Sequence, residues 1–490
     1  MTVPGHTFDY VDLFAGIGGF HAALSALGGR CVYVSEINPL ATQVYRRNWG
    51  DDVVQVDPGL PPIRGDINLD APQGTAGCDG PVRVPAHDVL AAGFPCQAFS
   101  KSGAQRGVLD STRGTLFFNI IRVLAERRPK VVFLENVRNL AGPKHRSTWD
   151  TIIGSLEELG YEVAHAPMVV SPHLIDPKDG GTPQVRDRVF IMAVHRGADR
   201  RPARQTPVTI DRAALVASAP RWDLATTAIG WLGGQPVLQD PTEIDHPERY
   251  ALTPSEVTWI DAWDTFVRFM REAGADLPGH PIWTDWFITE RELVADRRRH
   301  REVEAMPAWK SAYVWKNIGF YEQNRATVLR WQAHETMTGF ATFPPSRRKF
   351  EWQAQDTETL WQCLMHLRPS GIRAKKPTYV PALVAITQTT VVGPLRRRLT
   401  PVEATRLQGL PDEFTFGDQP DAATYAQLGN GVAAGAVHYA LRMFVTRYAD
   451  ELRPTLPGLV AAVEAAAHTG WVPPIPASAQ HVLAGVGAES

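Results

Sequence analysis

The stretch FDYVDLFAGIGGFHAALSALGGRCVYVSEINPLATQVYRRNW, Phe8 to Trp49, decides the fold class. Phe8 to Leu13 is an apolar run of strand length, and Phe20 to Leu27 carries apolar residues at helical spacing. Cys31 to Val34 then reads as a second strand and Asn38 to Trp49 as a second helix. The alternation continues downstream. Strand-length apolar runs recur at Val89 to Ala92, Val131 to Leu134 and Val189 to Val194, with helical periodicity over Leu116 to Ala125 and Trp149 to Leu159. Such alternation predicts an α/β fold: a doubly wound, mostly parallel sheet with helices on both faces. Two Pro/Gly-rich stretches, near Asp57 to Pro62 and Ala71 to Pro85, read as surface insertions.

The 490 residues allow about three folding units, or one large unit with insertions. Fifty basic residues against 52 acidic give a formal net charge of −2, with 44% hydrophobic and 21% charged residues. This is the composition of a soluble globular chain and excludes disordered and collagen-like classes. No run approaches the ~20 apolar residues of a membrane span. Met1 to Tyr10 lacks the basic and apolar regions of a secretory signal, so no membrane partner and a cytoplasmic location are expected. Cys31, Cys78, Cys96 and Cys363 lie far apart without CxxC spacing, which argues against a disulfide framework or a structural zinc. Near-neutral charge requires any phosphate-binding surface to be local.

After about Arg196 the texture changes. Tryptophan becomes frequent, and basic clusters stand at Arg297 to Arg301, Arg347 to Lys349, Lys375–Lys376 and Arg396 to Arg398. Two readings fit: an aromatic core with a solvated charged face, or a nucleic-acid platform. Helical texture returns from Tyr425 to Phe444, and the tail with Pro473, Pro474 and Pro476 reads as a loose extension.

In DLFAGIGGF (Asp12 to Phe20), Gly16, Gly18 and Gly19 permit a sharp turn and close approach to a ligand at a helix N-terminus. It is not a dinucleotide fingerprint, because His21 stands where the third glycine of G-x-G-x-x-G belongs. Alone, the loop could be a tight strand-to-helix turn. Glu36, however, ends the second strand at the ~20-residue offset where an acid meets ribose hydroxyls. Asp66, in Gly65-Asp66-Ile67, could accept from an adenine amino group, with Ile67 and Phe14 as apolar faces. Two acids and an apolar clamp suit an adenosine without phosphate, hence S-adenosyl-L-methionine rather than NAD.

GFPCQAFS (Gly93 to Ser100) follows an apolar run, which places Cys96 at the ligand edge of a parallel sheet. A lone cysteine is often a small buried hydrophobe, but polar Gln97, Ser100 and Ser102 argue against burial. Glu135 in FLENV ends the next strand on the same edge; its apolar flanks favour a raised pKa, and a surface acid is the alternative. In QVRDR, alternation places Gln184, Arg186 and Arg188 on one face, either a pocket wall or a solvated edge.

With these blocks in this order, the sequence resembles the cytosine-C5 DNA methyltransferases. DLFAGIGGF looks like that family's cofactor loop, SEINPLA its ribose block and GDI its adenine block. GFPCQAFS resembles the nucleophile block, STRGTLFFNIIRVL a cofactor-lining helix, and ENV and QVRDR the catalytic glutamate and arginine blocks. RRLTPVEATRLQGLPDEF and QLGNGV resemble the two closing blocks. The stretch His173 to Pro183 and the insertions near Pro61 and Pro81 depart from compact members of the family.

The resemblance implies catalytic roles for Cys96, Glu135, Arg188 and Arg186. It implies cofactor contacts from Phe14, Ala15, Gly16, Ile17, Gly18, Gly19, Glu36, Ile37, Asp66, Ile67, Pro95, Leu116, Asn430 and Val432. DNA contacts are expected from Gln97, Ser100, Ser102 and Arg373. The domain expectation is 1–195 catalytic and cofactor-binding, 196–420 a second, smaller target-recognition domain, 421–450 completing the first, and 451–490 a helical, Pro-containing tail. The expected partner is double-stranded DNA, with a companion restriction endonuclease and a monomeric chain. A tRNA methyltransferase, a catalytically inactive DNA-binding regulator and a dinucleotide oxidoreductase are the alternatives. The first of these usually carries a Cys-Phe-Thr tripeptide that this chain lacks.

Overall fold

Both faces of β1 (Phe8–Leu13) are buried: Phe8 and Tyr10 belong to one hydrophobic core, Val11 and Leu13 to another. Such a strand belongs inside a sheet covered on both sides, as in parallel α/β packing. The computed structural model, which describes residues 7–73, 80–95, 116–197, 211–383, 389–477 and 479, places it there. The chain continues through α1 (Gly19–Ser25), β2 (Gly29–Ser35), α2 (Pro39–Trp49), β3 (Ile63–Arg64), β4 (Val89–Gly93) and α3 (Phe117–Arg127). Next come β5 (Val131–Val137), α4 (Arg146–Glu158), β6 (Tyr161–Val163), β7 (Met168–Val170), β8 (Gln184–Val185) and β9 (Arg188–His195). The large sheet has the order β3-β2-β1-β4-β5-β9-β6, with β7 also paired to β9. Strands β1 to β5 are mutually parallel, and β9 runs antiparallel to β5, β6 and β7. This is the doubly wound, mostly parallel sheet expected from the sequence. Its order reverses between β1 and β4, which opens a crevice at their carboxyl ends.

Local chemistry fixes the loops around that crevice. The Asn38 side chain accepts from the Leu40 and Ala41 N–H groups and Pro39 opens α2, so the helix starts at once after β2. Gly18 has φ +92°, and a Cβ there would lie 2.3 Å from Trp49 Nε1. That indole N–H donates to the Ile17 carbonyl at 3.0 Å and ties the loop to α2. A Cβ on Gly19 would lie 2.6 Å from Val432 Cγ2, where the C-terminal segment closes over the loop.

The second half contains β10 (Ile282–Trp283), β11 (Lys349–Gln353), β12 (Leu364–Arg368), β13 (Gly371–Lys375), β14 (Val380–Pro381), β15 (Val391–Val392) and β16 (Arg397–Arg398). Six of these form a sheet of order β10-β11-β13-β12-β15-β16. Its apolar face packs on the helix Pro254–Glu272, where Trp263 stacks on Phe350 with ring centroids 4.8 Å apart. The tryptophan-rich texture is therefore an aromatic core. Strand β14 instead pairs in parallel with β8, returning the chain to the first half.

Packing divides the chain differently from the expected limits of 196 and 420. Trp222, Leu224, Val237, Leu399, Leu407 and Phe414 all belong to the core that contains Tyr10. The separate aromatic core runs from Ile260 to Val391. The helix Pro401–Leu407 is fastened to the first half, since Thr182 Oγ1 and Gln184 Nε2 both donate to the Leu407 carbonyl at 2.8 Å.

The helical texture near the end of the chain is borne out, and two smaller expectations are corrected. The texture of Tyr425 to Phe444 is two helices, Asp421–Asn430 and Ala434–Arg447, broken by extended backbone at Gly431 and Ala433. The described part of the tail is not loose: the helix Pro457–Thr469 buries Leu459, Val460 and Val463, and Trp471 packs 4.8 Å from the His438 ring. In the Ala71 to Pro85 stretch, Val82 and Val84 are core residues whose carbonyls accept from Arg127 at 2.6 Å each. Among the described residues no helix is long and apolar enough to cross a membrane.

Alanine at Gly16 or Gly18 separates strain from crowding. Gly16 has φ +57° but nothing within 4 Å of a new Cβ, so its alanine variant should lose only the about 1–2 kcal/mol of left-handed backbone strain. Gly18→Ala adds a clash with Trp49 and should lose about 1–3 kcal/mol more, as read from urea unfolding midpoints.

Candidate active site

The ends of β1, β2, β4 and β5 converge on a cavity of about 560 Å³. Phe14, Ala15, Gly16 and Ile17 line it from the loop after β1, Glu36 and Ile37 from the end of β2, and Asp66 and Ile67 from beyond β3. Pro95, Leu116, Glu135, Arg188, Asn430 and Val432 complete the expected part of the wall. Gly18 and Gly19, expected as cofactor contacts, do not line it. They are glycines because Trp49 and Val432 occupy the space a side chain would need.

Glu36 braces the loop: Oε2 accepts from the Gly16 N–H at 2.8 Å and Oε1 from the Asn38 N–H at 2.7 Å. Asp66 Oδ1 accepts from the Asn68 N–H at 3.0 Å, which holds its carboxylate at the cavity wall. Ile37 is 71% exposed, a large apolar side chain left uncovered beside these acids. Phe14, held at φ +57°, lines the same cavity. The donor set and uncovered apolar surface fit an adenosyl group: acids for hydroxyls and an amine, with Ile37, Ile67 and Phe14 for the ring.

Glu135 lies near the carboxyl end of β5 and is buried. The register sets Val137 opposite Arg188 on β9, and Arg188 Nε lies 2.8 Å from Glu135 Oε1. Burial raises the Glu135 pKa above the ordinary carboxylate range, against the opposing charges of Arg188 and then Arg186. The neighbouring Asn136, which the sequence reading passed over, donates from Nδ2 to the Phe94 carbonyl at 2.9 Å and lines the cavity. It thereby fixes the backbone leading to Pro95. Its position within ENV was the available signal. Gln427, in QLGNGV, also lines the cavity and was passed over. Cys96, Gln97, Ser100 and Ser102 lie outside the described residues.

Arg186 does not share the pocket with Arg188. The backbone leaves strand geometry between β8 and β9, so simple alternation fails at this point. Its buried guanidinium donates to the carbonyls of Leu383 and Gly429, each at 2.9 Å, and of Gly431. Burial, then the charge of Arg188, pushes its pKa down to about 9. Arg186 is a clamp between distant segments. Two residues of the basic clusters are likewise internal: Arg347 donates to the Arg368 and Leu367 carbonyls, and buried Arg397 pairs with Glu403 at 2.6 Å. Arg373 lies on the second sheet, outside this cavity, paired with Glu351 at 2.9 Å.

The family model for C-5 cytosine-specific DNA methylases matches residues 8–444. The chain belongs to that family. It is 45% identical to the type II methyltransferase M.AluI of Cellulosimicrobium cellulans, over 91% of this chain and 94% of that one. It is 39% identical to the type II methyltransferase M.HhaI of Haemophilus parahaemolyticus, over 37% of this chain and 48% of that protein. The solved structure of the S. pombe Dnmt2 methyltransferase aligns at 14% identity with a TM-score of 0.44, covering 90% of this chain and 99% of that one.

Replacing Arg186 by alanine removes the donor from three backbone carbonyls. At about 1–3 kcal/mol for each buried acceptor left unsatisfied, the loss should reach ~3 kcal/mol or more in chemical unfolding.

Proposed function

We propose that this DNA cytosine methyltransferase takes its methyl group from S-adenosyl-L-methionine and delivers it to C5 of a cytosine flipped out of double-stranded DNA. The buried Glu135, its carboxyl pKa raised and Arg188 at 2.8 Å, carries this reading because it gives the cavity a proton-holding group beside the Pro95 loop. Glu36, Asp66, Ile37, Ile67 and Phe14 would hold the cofactor, which supplies an electrophilic sulfonium methyl.

Carbon 5 of cytosine is too weak a nucleophile to be alkylated unaided. The Cys96 thiolate adds to C6 while Glu135 donates a proton or hydrogen bond to N3, and C5 becomes enamine-like. Loss of the C5 proton after methylation then re-forms the double bond and expels the thiolate. Arg188 steadies the O2 edge and the charge of the adduct. A stacked base cannot reach the cavity, so flipping precedes chemistry. Gln97, Ser100 and Ser102 would contact the backbone around the flipped nucleotide. The similarity to type II methyltransferases supports a place in a restriction-modification system. A companion endonuclease and a monomeric, cytoplasmic enzyme belong to the same proposal.

Purified enzyme should transfer labelled methyl to duplex DNA and not to tRNA. Cys96→Ser should abolish both transfer and covalent trapping on DNA containing 5-fluorocytosine. A variant with full activity would remove Cys96 from the mechanism. Glu135→Gln should lower single-turnover methyl transfer by about 10²–10⁴-fold while leaving cofactor affinity within twofold. The donating form of Glu135 is the protonated one, so the wild-type chemical step should fall as pH rises through its upshifted pKa. That limb should be absent from the rate profile of the glutamine variant.

A further inference from the structure

Alternation along three strands of the second sheet sorts aromatic from charged side chains. On β11, Phe350 and Trp352 enter the aromatic core, so Lys349 and Glu351 take the opposite face. On β13, Ile372 and Ala374 are core, leaving Arg373 and Lys375 opposite; on β12, Met365 and Leu367 leave His366 and Arg368. Strand pairing sets Glu351, Arg373 and His366 side by side. Lys349, Arg368, Arg373 and Lys375 thus share a face with Glu351, the one acid on these strands. Desolvation, and then the charges of Arg368, Arg373 and Lys375, push the pKa of the partly buried His366 down to about 4.

This face looks towards the catalytic half. Leu364 and Val392, which project from it, belong to the core of that half. The Lys375 ammonium sits 5.1 Å over the Tyr379 ring, which packs 5.1 Å from His173. Next to it, Ser171 accepts from the Arg186 backbone N–H at 2.9 Å, at the margin of the active site. At its outer end the face opens into a cleft of about 680 Å³, with Trp309 64% exposed at the rim and the Arg299 guanidinium 4.8 Å over Trp286.

One carboxylate organises the centre of the face. Glu351 Oε1 lies 2.9 Å from Arg373 Nη2, and Oε2 lies 2.5 Å from Arg368 Nη2. Two planar guanidinium groups are therefore held in fixed orientation, which bidentate recognition of a guanine edge requires and a flexible lysine cannot supply. Sheets are established readers of DNA grooves. We infer that this face reads the duplex around the target cytosine, with Arg368 and Arg373 as base-edge donors and Glu351 as the positioning residue that aims them. Lys349 and Lys375 hold flanking phosphates. The inference rests on the methyltransferase reading above and names the side chains that give it sequence preference.

The test uses the full-length enzyme. The methylated site is first mapped on DNA modified by the wild type, and kcat/KM is then measured on that duplex and on single-base substitutions of it. Arg373→Lys, Arg368→Lys and Glu351→Gln should each reduce the matched-to-mismatched ratio about tenfold or more at one position. Affinity for an unrelated duplex should change little for the lysine variants and rise for Glu351→Gln, which removes a negative charge. Binding of S-adenosylhomocysteine, followed by calorimetry, should stay within twofold and report intact folding. If Glu351→Gln does not fold, the two charge-conserving arginine variants decide. Wild-type ratios in the folded variants would overturn the inference, as would a uniform loss of affinity at an unchanged ratio, which marks phosphate contacts. A wild type that transfers no methyl to any DNA would instead overturn the functional reading.

Discussion

A buried cation must be surrounded by acceptors or it cannot remain charged inside a protein. Arg186 meets that demand with carbonyls from two chain segments far from its own, Leu383 on the return from the second sheet and Gly429 and Gly431 in the C-terminal block. Gly429 and Gly431 line the same cavity as Glu135, which lies close enough to feel the charge of Arg186. The clamp therefore makes the cavity wall, the acid and the exit of the second sheet depend on one another. Lost contact with either segment would leave the guanidinium short of acceptors, where burial already pushes its pKa down to about 9.

Around this clamp the site divides its labour by dielectric environment. Glu36 and Asp66 are partly exposed and accept backbone N–H groups of nearby loops. Glu135 is buried, where desolvation favours the protonated form, and only the arginines beside it resist. Acids tied to backbone N–H groups and an acid enclosed by arginines thus line one cavity.

Much of this was legible in the sequence, for a physical reason. A parallel strand buried on both faces must be continuously apolar and must deliver its functional residue at its carboxyl end. Glu36 and Glu135 could therefore be located by counting from Phe8 and Val131. Local pattern failed where distant contacts set the outcome. Gly18 and Gly19 resemble ligand-binding glycines until Trp49 and Val432 are seen to fill the space beside them. Arg186 obeys alternation only if the strand is unbroken, whereas β8 ends at Val185 and pairs with β14, almost two hundred residues away. A helix in the tail was legible, but its packing was not: the short stripe of Leu459, Val460 and Val463 gives no sign of the core it joins.

The pairing of β14 with β8 also bears on how such enzymes can exchange recognition modules. Val380 and Pro381 hydrogen-bond in register with Gln184 and Val185, so the segment leaving the second sheet is part of the catalytic scaffold in all but chain order. A chimera joined downstream of this ribbon would import a foreign edge into the framework that carries Arg186. Splice points on the near side of Val380 leave the ribbon native, so that, with the second sheet as the reader inferred above, specificity could be swapped without rebuilding that framework.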